Sequence, residues 1–157
     1  MGPPARLALY WLATVLLTFE LVASFIWVVV GTQYVTVNLR HLGYPLFLAK
    51  ILGAFDFPGA VTLLIPGFPR LKEWAYAGAF FKYLGAVASH AFAGDGPNVW
   101  IAPLMFGIFT MTSWALRPPE RRLIATDQTR NQGARPWIVS LSILSGLVII
   151  AWLTVPE

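Results

Sequence analysis

From Leu7 the chain runs apolar to Val30 with a single formal charge, Glu20, before it meets a glycine. Four more apolar stretches follow, over 46–65, 73–93, 99–116 and 137–155. Each is close to the roughly 20 residues that an α-helix needs to cross a hydrocarbon core of about 30 Å. The stretches are too long and too uniformly apolar for barrel strands, and a lone spanning sheet would leave unpaired edges in lipid. They are therefore predicted as helices that are hydrophobic nearly all round. Between them the breakers fall at Gly43-Tyr44-Pro45, Pro66-Gly67-Phe68-Pro69, Gly94-Asp95-Gly96-Pro97 and Pro118-Pro119. Pro58 and Pro103 lie inside helices, where each should kink its helix; Pro58 should also free a carbonyl near Ala54. The pattern predicts an all-α, polytopic membrane bundle of four core transmembrane helices plus a fifth at the C-terminus. Residues 1–123 form the bundle, 124–136 a polar linker, and 137–157 the added helix and a short tail.

Composition points to lipid as the solvent. The chain is 57% hydrophobic and 11% charged, whereas soluble domains carry about 25% charged residues and cannot cover themselves with fewer. The net charge of +4 does not mark a nucleic-acid surface, because the basic residues sit in short connections between apolar runs and form no stripe interleaved with aromatics. Arg6, Arg70, Lys72, Arg117, Arg121, Arg122, Arg130 and Arg135 fall on one side of the predicted bundle, and only Arg40 falls in the loops of the other. Short basic loops stay cytoplasmic. The expectation is a multi-pass protein of the plasma membrane with its N-terminus cytoplasmic and its C-terminus outside. The first run is too long for the apolar region of a signal peptide and is read as a retained helix. There is no cysteine, so this chain has no disulfide, thiolate metal site or thiol redox chemistry of its own.

Five ionisable residues lie within the apolar runs: Glu20, Lys50, Asp56, Lys82 and His90. A charge at the bilayer centre costs roughly 2.5–3.5 kcal/mol on insertion scales, so such residues face protein and find partners. Asp56 and Lys82 each lie about 13 Å from the same end of their helices at 1.5 Å per residue, and Glu20 is at a comparable depth. Small residues surround both: Ala49, Gly53, Gly59 and Ala60 near Asp56, and Ala75, Gly78, Ala79, Gly85, Ala86 and Ser89 near Lys82. Small faces let membrane helices pack closely. An Asp56–Lys82 pair is therefore expected, with Glu20 as a second acid. Lys50 is near a helix end and is expected to snorkel. His90 stands near the other end of its helix, before Asp95, as a hydrogen-bonded residue or a proton or ligand contact; His41 is the weaker of the two histidines. With two histidines and no cysteine, no dedicated transition-metal site is expected. The ligand-binding candidates are Glu20, Asp56, Lys82 and His90.

The phrases His41-Leu42-Gly43-Tyr44-Pro45, Ile51-Leu52-Gly53, Leu71-Lys72-Glu73-Trp74-Ala75-Tyr76-Ala77-Gly78, Leu84-Gly85-Ala86, Ser89-His90, Gly94-Asp95-Gly96 and Leu116-Arg117-Pro118-Pro119 follow one another in an order that resembles the DoxX-like family of small membrane proteins. The resemblance spans about 7–123. It implies a four-helix membrane bundle. The family takes its name from subunits of a thiosulfate:quinone oxidoreductase, and other relatives serve in redox, maturation, assembly or trafficking systems. Asp56 and the fifth helix depart from the usual pattern.

Two functions from different classes follow. The first is a redox-associated subunit that binds a quinone-like lipophilic ligand, with quinone as the candidate cofactor and a membrane or redox protein as partner. The second is a non-catalytic assembly or scaffold factor whose buried charges set helix register. A proton-coupled transporter is a third, weaker reading, since no internal repeat accompanies the buried carboxylates. Whether the chain is an enzyme is left open by the sequence.

Overall fold

The computed structural model describes residues 2–122 and 135–154. Helices α1 (Pro3–Val30), α2 (Gln33–His41), α3 (Phe47–Leu64), α4 (Pro69–Phe92) and α5 (Pro97–Leu116) lead into a 3₁₀ turn (Pro119–Arg121) and then α6 (Arg135–Thr154). No strand occurs among the described residues. The linker expected over 124–136 falls, except for its last two positions, outside the described residues, and so does the end of the fifth helix beyond Thr154.

The apolar runs and the observed helices agree, with differences at their starts that have a local cause. Pro3, Pro69 and Pro97 each occupy the first turn of a helix, where a missing N–H costs nothing and the fixed φ suits the helix. The polar turn Pro69-Arg70-Leu71-Lys72, read from sequence as loop, is thus the opening of α4. The short helix α2 was not expected. Its polar sequence Gln33–His41 buries only Leu39 and leaves Tyr34 and Val37 outside, so it carries no spanning signal. Trp27 meets Tyr34 edge-on across the α1–α2 corner.

The long helices close a ring. α1 packs on α3 and α5, and α4 packs on the same two, so each has two neighbours in the order α1–α3–α4–α5; α6 lies against α3. Gly53 on α3 comes so close to α1 that an added Cβ would stand 3.2 Å from the Val28 side chain. At the opposite end of both helices Arg121 joins Tyr10 of α1 to the Leu63 carbonyl of α3. α1 and α3 are therefore antiparallel. The core where α1, α3 and α4 meet holds Leu17, Leu21, Leu63, Tyr76, Ala79 and Tyr83.

Polarity is inverted relative to a soluble bundle. Thr14, Asp56, Lys72, Thr110 and Ser113 are buried, while Phe19, Val30, Phe81, Phe92 and Leu153 are well over half exposed. So many large apolar side chains on the outside of one bundle make a surface suited to acyl chains. Among the described residues α1, α3 and α5 are long and apolar enough to cross a membrane. α4, at 24 residues, is about 36 Å long, but Arg70, Lys72, Glu73 and Lys82 lower its apolar character.

Two of the basic residues that sequence assigned to orientation have a structural task as well. A helix ends with four carbonyls that lack intrahelical donors. At the end of α3, the Ile65 N–H takes the Val61 carbonyl. Buried Lys72 donates to the Thr62 and Ile65 carbonyls, and Arg121 donates to those of Leu63 and Leu64 at 2.9 and 3.1 Å. Two cations thus complete the α3 terminus, where the helix dipole also favours positive charge.

Candidate functional site

Depth along the helices brings Glu20, Asp56 and Lys82 together as expected, and the structure adds Ser24 and Tyr83. Lys82 Nζ donates to both Asp56 carboxylate oxygens at 2.9 and 2.8 Å. Ser24 Oγ donates to Asp56 Oδ2 at 2.7 Å. Glu20 Oε2 lies 3.8 Å from Lys82 Nζ and accepts the Tyr83 hydroxyl. Asp56 is buried, and Lys82 keeps 17% of its side-chain exposure. The cluster draws α1, α3 and α4 into one polar knot in the middle of the ring. Within it two carboxylates face one ammonium, so removing the cation would strand two acids, whereas removing one acid leaves the other in reach.

The small residues around Lys82 divide between two tasks. Ala79 is buried in the core. Gly78 and Gly85 have open space where a Cβ would project. Gly78 instead forms part of a cavity of about 370 Å³, with Leu52, Phe55, Gly59, Trp74, Leu144 of α6 and the Asp56–Lys82 pair in its walls. Small-ligand pockets start near this size and are mostly apolar with a few placed polar groups. The expectation that every small residue near Lys82 serves close packing thus fails at Gly78, which leaves room for something else.

His90 does not join this site. Near the far end of α4, His90 Nδ1 lies 2.7 Å from Asp95 Oδ2, and Asp95 also meets His41 Nε2 at 2.8 and 2.9 Å. Two helix endings arrange this. After α4, Gly94 takes φ 81°, its N–H bonds the Ala91 carbonyl, and the Asp95 N–H bonds the His90 carbonyl. After α2, Gly43 takes φ 75°, its N–H bonds the Arg40 carbonyl and Tyr44 N–H the Leu39 carbonyl. Both are Schellman endings, which need a left-handed residue that glycine adopts without steric cost. The first folds Asp95 back over His90; the second delivers His41 to the same point. The hydrogen bonds from His90 and then His41 hold the Asp95 carboxyl below its ordinary range.

A third cluster, at the end of the bundle near the N-terminus of α4, carried no signal in the sequence beyond its residue types. Thr14, Ser113 and Tyr76 hydroxyls form a chain with contacts of 2.7 and 2.8 Å. Beside it Glu73 pairs with buried Arg117 at 2.8 Å and accepts the Trp114 indole N–H at 2.9 Å. The Arg117 guanidinium lies over the Tyr76 ring at 4.8 Å. Glu73 and Arg117 stand more than forty positions apart in the sequence, so only the ring order pairs them.

A polar interior of this kind inside an apolar exterior, on helices of spanning length, defines the class: an all-α helical membrane bundle. Residues 12–113 match the family model described as the DoxX-like family. That is well over half of the 157 residues, and the chain belongs to that family. No curated protein and no solved structure matches it.

Proposed function

We propose that the protein binds a quinone-like lipophilic ligand in the cavity between α3, α4 and α6, as a redox-associated subunit of the plasma membrane. The observation that carries this reading is the cavity itself: apolar walls, α6 closing one side at Leu144, and the Asp56–Lys82 pair in the lining. The chemistry of the lining fits a ring with carbonyl oxygens, because Lys82 supplies a cationic donor and Trp74 and Phe55 supply flat apolar surface. A bound quinone would supply two-electron, two-proton redox chemistry, and a partner protein would exchange the electrons. Lys82, in the lining, is the group that would hold or pass a proton there, with Glu20 3.8 Å behind it and Tyr83 hydrogen-bonded to Glu20. In this reading α4 and α6 also cross the bilayer, the basic ends of α1, α4 and α5 face the cytoplasm, and the C-terminus lies outside.

A second reading, an assembly factor without a ligand, draws on the saturation of Asp56, whose two oxygens are already taken by Lys82 and Ser24. A buried pair with all partners satisfied can serve to fix helix register. Gly78→Leu separates the two. It fills the cavity from a position with open space and replaces glycine in a helix, which favours the fold by up to about 1 kcal/mol. Protein purified from native membranes should carry extractable quinone, and Gly78→Leu should fold and carry none. Equal quinone in both, or none in either, refutes the ligand reading.

A further inference from the structure

We propose that His41, His90 and Asp95 form a binding site for a divalent transition metal ion at the end of the bundle where α2 and α4 terminate. The site is separate from the cavity at Lys82 and does not depend on the reading given to it. One ligand atom from each residue, His41 Nε2, His90 Nδ1 and an Asp95 oxygen, all lie within 4.8 Å of one another. Ligands bound at about 2.0–2.2 Å to one ion sit roughly 3–3.5 Å apart in octahedral or tetrahedral arrangement. The nitrogen–oxygen separations of 2.7 and 2.8 Å would open by a few tenths of an ångström around an ion, and the widest separation in the group, up to 4.8 Å, would close by about 1.3 Å. Two imidazoles and one carboxylate suit zinc and the neighbouring divalent ions of borderline softness, and disfavour calcium and magnesium, which prefer all-oxygen sets.

The frame around the three residues favours the ion further. Each ligand is held by backbone rather than by a free loop: His90 and Asp95 by the Schellman ending of α4, His41 by the last turn of α2. His90 is buried and His41 is half exposed, so one side of the ion would stay open to solvent. A surface cavity of about 590 Å³, lined by His41, Tyr44 and Ser89 among others, opens beside it. Tyr44 and Ser89 bond to each other at 2.8 Å and leave the histidine nitrogens to Asp95. The absence of cysteine argued against a metal from sequence, but a two-histidine, one-carboxylate set needs none. The hydrogen bonds that join the two imidazoles to Asp95 would give way to bonds to the ion.

The test uses the full chain without an affinity tag, stripped with chelator in detergent. Titration with Zn²⁺ by calorimetry, and with Co²⁺ by its visible d–d absorption, should give one ion per chain. His41→Ala, at an exposed position, should keep the helical circular dichroism and weaken binding by at least about tenfold, since even loss of an outer-shell partner costs that much. Asp95→Asn should weaken it as well. Absence of stoichiometric binding to the parent chain, or His41→Ala binding as the parent does, overturns the site and leaves a hydrogen-bonded clasp between α2 and α4.

Discussion

Breaking the Asp56–Lys82 pair should have unequal consequences from its two sides. Lys82→Met leaves Asp56 buried with only Ser24 to hydrogen-bond it, and leaves Glu20 without its nearby cation. Removing one partner of a buried pair costs about 3–5 kcal/mol. Lys82 retains 17% of its exposure, which places the expected loss in the lower half of that range. Asp56→Asn should cost less, about 1.5–3 kcal/mol, the worth of hydrogen bonds to a charged group. The amide can still accept from Ser24, and Lys82 can turn to Glu20, 3.8 Å away. The double variant Asp56→Asn with Lys82→Met should lose about 2–3 kcal/mol: replacing both members of a pair by neutral groups is often close to neutral, but Glu20 still lacks its nearby cation. The coupling read from the cycle should therefore reach at least about 1.5 kcal/mol. The assay is equilibrium unfolding in detergent, followed by circular dichroism, for the parent, both singles and the double. Strictly additive losses would refute the pairing. An Asp56→Asn loss larger than that of Lys82→Met would refute the argument that Glu20 stands in reserve.

Three further outcomes follow from named contacts. Ending the chain near Ala125 should leave an inserted, folded ring of α1, α3, α4 and α5, since α6 packs on the outside of α3. It should abolish retention of the lipophilic ligand, because the α6 wall at Leu144 is gone; loss of all folded protein would show that α6 belongs to the core. Lys72→Met should destabilise the bundle by about 1–3 kcal/mol by stranding the Thr62 and Ile65 carbonyls, and unchanged unfolding would show that water takes over the α3 terminus. A compartment-sensitive reporter fused after Glu157 should read outside, and a cytoplasmic signal would reverse the orientation drawn from the basic ends.

The helices and their polar knot were legible in the sequence because both are one-dimensional quantities. A run of about 20 apolar residues bounded by Gly and Pro needs no partner to be a helix. Depth along a helix is residue count times rise, so Asp56, Lys82 and Glu20 could be placed at one level before any packing was known. Depth says nothing of azimuth or of neighbours. His90 therefore looked like a fourth member of that site, although the left-handed turns at Gly94 and Gly43 tie it to Asp95 and His41 instead. Lys72 looked like a loop charge, because nothing local tells that its ammonium reaches back to cap α3. Gly78 looked like packing surface and is cavity wall, because only the placement of α3 and α6 decides whether a missing side chain is filled by a neighbour or left open. The pairing of Glu73 with Arg117 depends wholly on α4 and α5 standing side by side in the ring. Local chain chemistry set what each segment is; the order of helices around the ring set which side chains meet.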